Sequence, residues 1–127
     1  MDFEFFTMDF EQKYKVVYVT DIRSSLDFFM NKVGLKKQEE LNIPGRDCAV
    51  LEMFNGDFLM LLQNEELETA PVVLYTDDCL RDHHRLKAGR VDGLTEPVYR
   101  ADGVAIEFPD PCGNRFVLLE ERDYTDA

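Results

Sequence analysis

No apolar run in this sequence approaches the ~18 residues that a membrane-spanning helix needs, so no membrane partner is expected. No break in composition divides the 127 residues either. A single domain over 1–127 is therefore expected, large enough to bury about two thirds of its extended-chain surface. Cations are scarce: 14 Lys and Arg stand against 26 Asp and Glu, a net charge of −12. That is the wrong sign for a phosphate-backbone partner, so nucleic acid is not expected, while cationic ligands are favoured at long range. Cysteine is sparse. Cys48, Cys79 and Cys112 are odd in number and have no CxxC spacing, which argues against a disulfide framework and a zinc knuckle and for free thiols. The only histidines, His83 and His84, are adjacent; on a helix they point about 100° apart and cannot face one metal. The segment MDFEFFTMDFEQ has acids where a secretory signal has Lys or Arg, and no small-residue cleavage site, so a cytoplasmic location is expected.

What the chain does contain is a repeat. VVYVTDI at Val16 to Ile22 returns as VVLYTDD at Val72 to Asp78. The eye aligns these at an offset of 56, but 57 superposes Val16 on Val73, Tyr18 on Tyr75, Asp21 on Asp78 and Gly56 on Gly113. The offset of 57 also keeps side-chain faces in register along the strands. Each copy reads as βαβββ. In the first, a strand over Lys15 to Val19 leads through the cap chemistry of Thr20-Asp21 into a helix. Ile22, Leu26, Phe29 and Val33 share one face of that helix, and Gly34 ends it. Strands follow around Lys36 to Leu41, Asp47 to Met53 and Asp57 to Leu62, separated by turn signals at Asn42 to Gly45 and at Asn55-Gly56.

In the second copy the strand is Val72 to Tyr75, the cap Asp77-Asp78, and the helix Cys79 to Ala88, ended by Gly89. Strands near Thr95 to Tyr99, Val104 to Phe108 and Asn114 to Glu120 complete it, the last turn being Asp110 to Asn114. The expected organisation is an N-terminal arm at 1–12, module one at 13–63, a connector at 64–70, module two at 71–121 and a tail at 122–127. The arm repeats MDFE at Met1 and Met8, which reads as an alternative start or as an aromatic arm against a partner subunit.

Each strand divides by its period of two. Val17/Val19, Val72/Leu74, Ala49/Leu51/Met53, Leu59/Leu61, Val104/Ile106/Phe108 and Phe116/Leu118 are purely apolar and should lie under the helices. The opposite sets are mixed: Tyr14/Val16/Tyr18, Val73/Tyr75, Cys48/Val50/Glu52, Phe58/Met60/Leu62, Ala105/Glu107 and Arg115/Val117/Leu119. A face carrying Glu52, Glu107 and Arg115 among tyrosines cannot be a dry core, and its apolar wall with few polar groups has the character of a ligand cleft. Glu52 and Glu107 stand on equivalent strands, which would let both carboxylates enter one cavity.

The frame VxVxDxxxSLxFFxxxxGL at Val17 to Leu35 and the tail GVAIEFPDPCGNRFVLLE at Gly103 to Glu120 resemble the vicinal oxygen chelate superfamily. Its members include glyoxalases, bleomycin-resistance proteins, extradiol dioxygenases and fosfomycin-resistance enzymes. The resemblance implies an α+β fold of two tandem βαβββ modules, their curved mixed sheet around a cleft with helices on the convex face, commonly completed in a homodimer. It also implies a divalent metal held by His, Gln or Glu from the first and last strands of each module. Here those positions fall on Tyr14 and Met60 (Leu61 with a one-residue slip), and on Pro71 (Ala70 at the other offset) and Val117. Such a set has too few hard donors for zinc, nickel, iron or manganese, so no metal or other cofactor is expected. His83 matches Leu26 at the preferred offset and reads as a partly buried helix residue. Cys48 has no histidine base near it, so no catalytic residue is assigned.

The resulting expectation is a metal-independent small-molecule-binding protein like the bleomycin-resistance branch, sequestering a cationic or aromatic compound. Tyr14, Tyr18 and Tyr75 would supply aromatic contact, Glu52 and Glu107 would favour a positive group, and Met60 and Val117 would form apolar wall. Arg115 would pair with one of those glutamates or meet an anionic ligand. The alternatives are a metal-dependent lactoylglutathione lyase-like isomerase, lyase or dioxygenase, and an interaction protein with a vestigial cleft. A homodimer is expected to cover the strand edges.

Overall fold

The computed structural model describes residues 14–43 and 46–122. The arm at 1–12, the Pro44-Gly45 turn and the tail from 123 onwards lie outside the described residues. Two four-stranded sheets form the molecule. In the first, β1 (Tyr14–Val19), β4 (Phe58–Gln63), β3 (Arg46–Glu52) and β2 (Lys36–Ile43) lie side by side in that order. In the second the order is β5 (Val72–Tyr75), β8 (Arg115–Glu121), β7 (Gly103–Pro109) and β6 (Val98–Arg100). The first and last strands of each module pair in parallel, and the remaining pairs are antiparallel. β6 is shorter than the sequence expectation, because Pro97 has no N–H for a ladder and precedes it directly.

The offset of 57 is visible in the registers. Val16 sits opposite Met60 in one sheet and Val73 opposite Val117 in the other. Gly56 and Gly113 both have positive φ, 92° and 103°. Asp21 caps α1 (Ile22–Asp27) by accepting from the N–H groups of Arg23 and Ser24, and Asp78 caps α2 (Cys79–Ala88) by accepting from Arg81 N–H. A second device fastens both helix starts. Gln63 Oε1 accepts from Ile22 N–H at 3.1 Å, and Glu120 Oε1 from Cys79 N–H at 2.9 Å. An amide and a carboxylate thus serve the same purpose in the two copies.

The helices themselves differ. After Asp27 the first continues as a π-helical segment, Phe28–Val33. The wider turn brings the adjacent Phe28 and Phe29 into the core together, where the 3.6-residue pattern selects only Phe29. Gly34 closes it with φ 92°, its N–H and that of Leu35 both donating to Phe29 O. In the second module the left-handed residue is Arg90, φ 60°, rather than Gly89. Gly89 is needed for a different reason. A Cβ there would lie 1.9 Å from the backbone oxygen of Lys32, so its missing side chain lets the two helix ends touch.

One core unites the modules. Val17, Val19, Ala49, Leu51, Leu59 and Leu61 of the first sheet join Val72, Leu74, Val104, Ile106, Phe108, Phe116 and Leu118 of the second in a single buried cluster. Phe29 meets Phe116 edge-on at 5.2 Å, and Phe28 lies 6.2 Å from Phe108. A sheet whose helix side is this apolar needs a partner layer, and each module completes the other.

Candidate functional site

On the face opposite the helices, each sheet carries its own apolar patch. Cys48, Val50 and Met60 are buried with Tyr14, Val16, Phe58 and Leu62 around them. Ala105, Val117 and Leu119 are buried with Val73 beside them. Between the sheets lies a pocket of about 180 Å³, lined by Tyr14, Lys15, Met53, Asp57, Phe58, Val73, Leu74 and Tyr75. Tyr14 stacks on Phe58 with centroids 5.2 Å apart and planes at 30°. Tyr75 remains half exposed at 50%. The volume is small beside the roughly 300–1,000 Å³ of drug-sized sites, and suits a single aromatic ring.

Two asparagines from the hairpin turns fasten the modules to each other, Asn55 beside this pocket and Asn114 at the other junction. Asn55 Nδ2 donates to Tyr75 O at 3.0 Å and to Asp57 Oδ2 at 2.9 Å. Asn114, 2% exposed, donates to Tyr18 O at 2.8 Å and accepts from Glu68 N–H at 3.1 Å. The carbonyls of the equivalent Tyr18 and Tyr75 are therefore each held by an asparagine of the opposite module. Burial pushes the Asp110 carboxyl beside Asn114 above its usual range, opposed by the N–H groups of Asn114, Gly113 and Cys112 and the Asn114 side chain.

Of the residues expected at the site, Tyr14 and Tyr75 come together on the pocket wall, and Asp57, Phe58 and Val73 join them. Tyr18 is exposed, and its N–H donates to Glu68 Oε2 at 2.8 Å. Glu52 accepts from Gln38 Nε2 at 2.8 Å. Glu107 is engaged by Arg115 Nη2 at 2.5 Å, so Arg115 pairs with a glutamate of its own sheet. The register also places Glu52 opposite Phe58 and Pro109 opposite Arg115, so the equivalent of Glu52 is Pro109 and not Glu107. The two carboxylates are offset along their strands, and neither lines the pocket. In the sequence Asp57 marks only the start of a strand; its place after the Asn55-Gly56 turn is the signal that could have found it.

The donor set does not fit a divalent metal. Tyr14 and Met60 belong to one apolar patch, Val117 to the other, and Pro71 precedes β5. Among the described residues no three His, Cys, Asp or Glu side chains stand close enough to share an ion. His83 is partly buried on α2, its Nε2 3.9 Å from Glu96 Oε2 and without a hydrogen-bond partner. None of the three cysteines is in a disulfide; burial, reinforced by Glu120 and Asp82, pushes the Cys79 thiol up to about 11, far from a thiolate nucleophile. No helix among the described residues is long and apolar enough to cross a membrane.

Paired βαβββ modules with helices on one side and a cleft between the sheets define the glyoxalase-like fold. Solved structures of that fold match nearly the whole chain. The bleomycin-binding protein of bleomycin-producing Streptomyces verticillus, complexed with copper(II)-bleomycin, superposes with a TM-score of 0.68 at 16% identity, over 86% of this chain and 94% of that one. TnmS3, an antibiotic-binding protein from Streptomyces sp. CB03234, gives 0.66 at 23% identity over 87% and 94%. A mutant of the fosfomycin resistance protein FosX from Listeria monocytogenes, complexed with Mn(II) and a dihydroxypropylphosphonic acid, gives 0.59 at 15% over 84% and 89%. No family model matches the sequence, and no curated protein sequence matches it.

Proposed function

We propose that this chain is a metal-independent small-molecule-binding protein that holds an aromatic, preferentially cationic compound between its two sheets. The observation that carries this is the pocket lined by Tyr14, Phe58 and Tyr75, with the turn that Asn55 fastens to Tyr75 beside it. Within the fold, the bleomycin-binding and antibiotic-binding proteins support a sequestering role, and the poor donor set at the expected metal positions supports binding without an ion. Asp57 and Lys15 balance each other at the pocket, and Arg115 neutralises Glu107. Preference for a cation then comes from the long-range field of a chain with net charge −12. Tyr18, Glu52, Met60, Glu107, Arg115 and Val117 belong to the surrounding cleft rather than to the ring-binding pocket.

Calorimetric titration with phenyltrimethylammonium, benzyl alcohol and benzoate tests the reading. Affinity should fall in that order, and Tyr75→Ala should weaken the first by roughly two- to tenfold, the worth of one aromatic contact. Equal binding by all three, or an unaffected Tyr75→Ala variant, sinks the proposal. Chelator-stripped protein should show no rise in unfolding midpoint with Zn, Ni, Mn, Fe or Co. Specific binding at 100 times Kd would add about 2.7 kcal/mol and be plain in the melt.

The proposal includes a homodimer. Val98 and Tyr99, 54% and 63% exposed, stand on the edge strand β6, which a second copy would cover. Sedimentation of the full chain at several concentrations decides it, and a constant monomer mass removes that part.

A further inference from the structure

The tyrosine-lined pocket adjoins a second cavity. The two share Met53, Leu74 and Tyr75 on their walls, and the second reaches inward on the helix side, among Phe29, Val33, Leu86 and Leu118. It offers about 30 Å³. One water needs roughly 10–15 Å³ in such a measure, so the space suits a group of two or three heavy atoms. Its wall is almost wholly apolar, which gives water few partners and favours an apolar guest. Phe54 stands on the outer wall, with the Arg85 guanidinium 4.3 Å from its ring centroid.

The repeat supplies an internal comparison. At the other junction the residues equivalent to Asn55 and Asp82 are Cys112 and Ser25. These two touch, Ser25 Oγ lying 3.3 Å from Cys112 Sγ, and Asn114 ties the neighbouring turn to Tyr18 and Glu68. At the open junction, Asn55 is committed to Tyr75 and Asp57, while Asp82 accepts from Thr76 and Arg81. Asn55, Thr76 and Asp82 stand on the cavity wall with their hydrogen bonds made. The π-helical segment adds to the asymmetry, since Phe29 and Val33 reach the cavity from it.

We propose that this inner cavity is a subsite for a short, unbranched alkyl substituent carried by the ligand whose ring lies at Tyr14 and Tyr75. This rests on the reading of that pocket as the binding site. The ligand class becomes an alkyl-substituted aromatic cation, with the charge outward and the alkyl group inward past Met53.

Titration with phenyltrimethylammonium and its 4-propyl derivative tests it. The propyl compound should bind at least tenfold tighter, since three methylenes or methyls leave water for an apolar wall. Val33→Phe, which fills the cavity, should abolish that gain and leave the parent compound's affinity unchanged. Equal affinity of the two compounds for the native chain overturns the subsite and leaves the tyrosine pocket standing. Binding by neither overturns the pocket reading, and xenon then decides the cavity without any variant. Under xenon pressure the methyl resonances of Val33, Leu86 and Leu118 should shift in carbon–proton spectra. Unshifted methyls refute an accessible cavity.

Discussion

Gly89→Ala should destabilise the chain although it places a better helix former at a helix end. Gly89 lies in the ordinary right-handed region, φ −78° and ψ 0°, so alanine meets no backbone strain. Reduced freedom of the unfolded chain alone would favour alanine by about 0.4–1 kcal/mol. Against this, the new Cβ would sit 1.9 Å from Lys32 O and 2.9 Å from Lys32 C, where real contacts essentially never fall below 3.0 Å. The obstacle is backbone, which cannot swing aside as a flexible side chain would, so the helix ends must part by about an ångström. Overpacking of this kind costs about 1–3 kcal/mol, and an immovable carbonyl belongs at the upper end. The net expectation is a loss of roughly 2 kcal/mol, a fall in melting midpoint of roughly 5–10 °C at this chain length. Urea denaturation followed by circular dichroism measures it, with the slope unchanged. Gly56→Ala is the companion, because its Cβ meets nothing within 4 Å and only its positive φ resists, at about 1 kcal/mol. A neutral or stabilised Gly89→Ala variant would refute the close approach of the helices.

Asn114→Ala should cost roughly 2–4 kcal/mol in urea titrations, because it leaves Tyr18 C=O and Glu68 N–H at the junction without their partner. Arg90→Gly should stabilise by about 0.5–1 kcal/mol, since φ 60° suits glycine and the Lys32 Nζ bond goes to the Arg90 backbone carbonyl, which remains. Glu120→Gln should flatten acid sensitivity. The Arg122 guanidinium, with Cys79 N–H, holds the Glu120 carboxyl below its usual value of 4.5. The stability it contributes is thus full above about pH 4.5 and is lost as pH falls through its lower native value. Urea midpoints from pH 7 to 3 should converge for the two proteins at the acid end, and parallel curves would contradict this.

Much of the fold is legible in the sequence because alternation along strands reports directly on which side is buried. Every helix-facing set read from that period lies in or against the single core. The offset of 57 comes from the same source, and it holds in both parallel registers. Phe28 escapes because a pattern of 3.6 residues cannot register a π turn. Gly89 looks like a conformational stop, whereas steric contact with a residue 57 positions earlier explains it. The site is less legible. Tyr14 and Tyr75 reach one pocket, but Asn55 and Asn114 look only like turn formers, and their cross-module bonds depend on how the sheets meet. Glu52 and Glu107 share a face without sharing a register position, and alternation alone does not reveal the difference.

The π-helical segment has a consequence for how such a duplicated chain can redistribute residues between a helix and the loop after it. Gly34 follows Ile22 by twelve positions, and Arg90 follows Cys79 by eleven, yet the strands on both sides keep their spacing of 57. The residue gained inside the first helix is therefore offset by one fewer in the loop that leaves it, since Leu41 and Val98 also stand 57 apart against Cys48 and Ala105. The parallel pairing of β1 with β4 and of β5 with β8 keeps one register throughout. The boundary between helix and loop therefore acts as slack in this architecture, able to move by a residue while the paired strands stay locked.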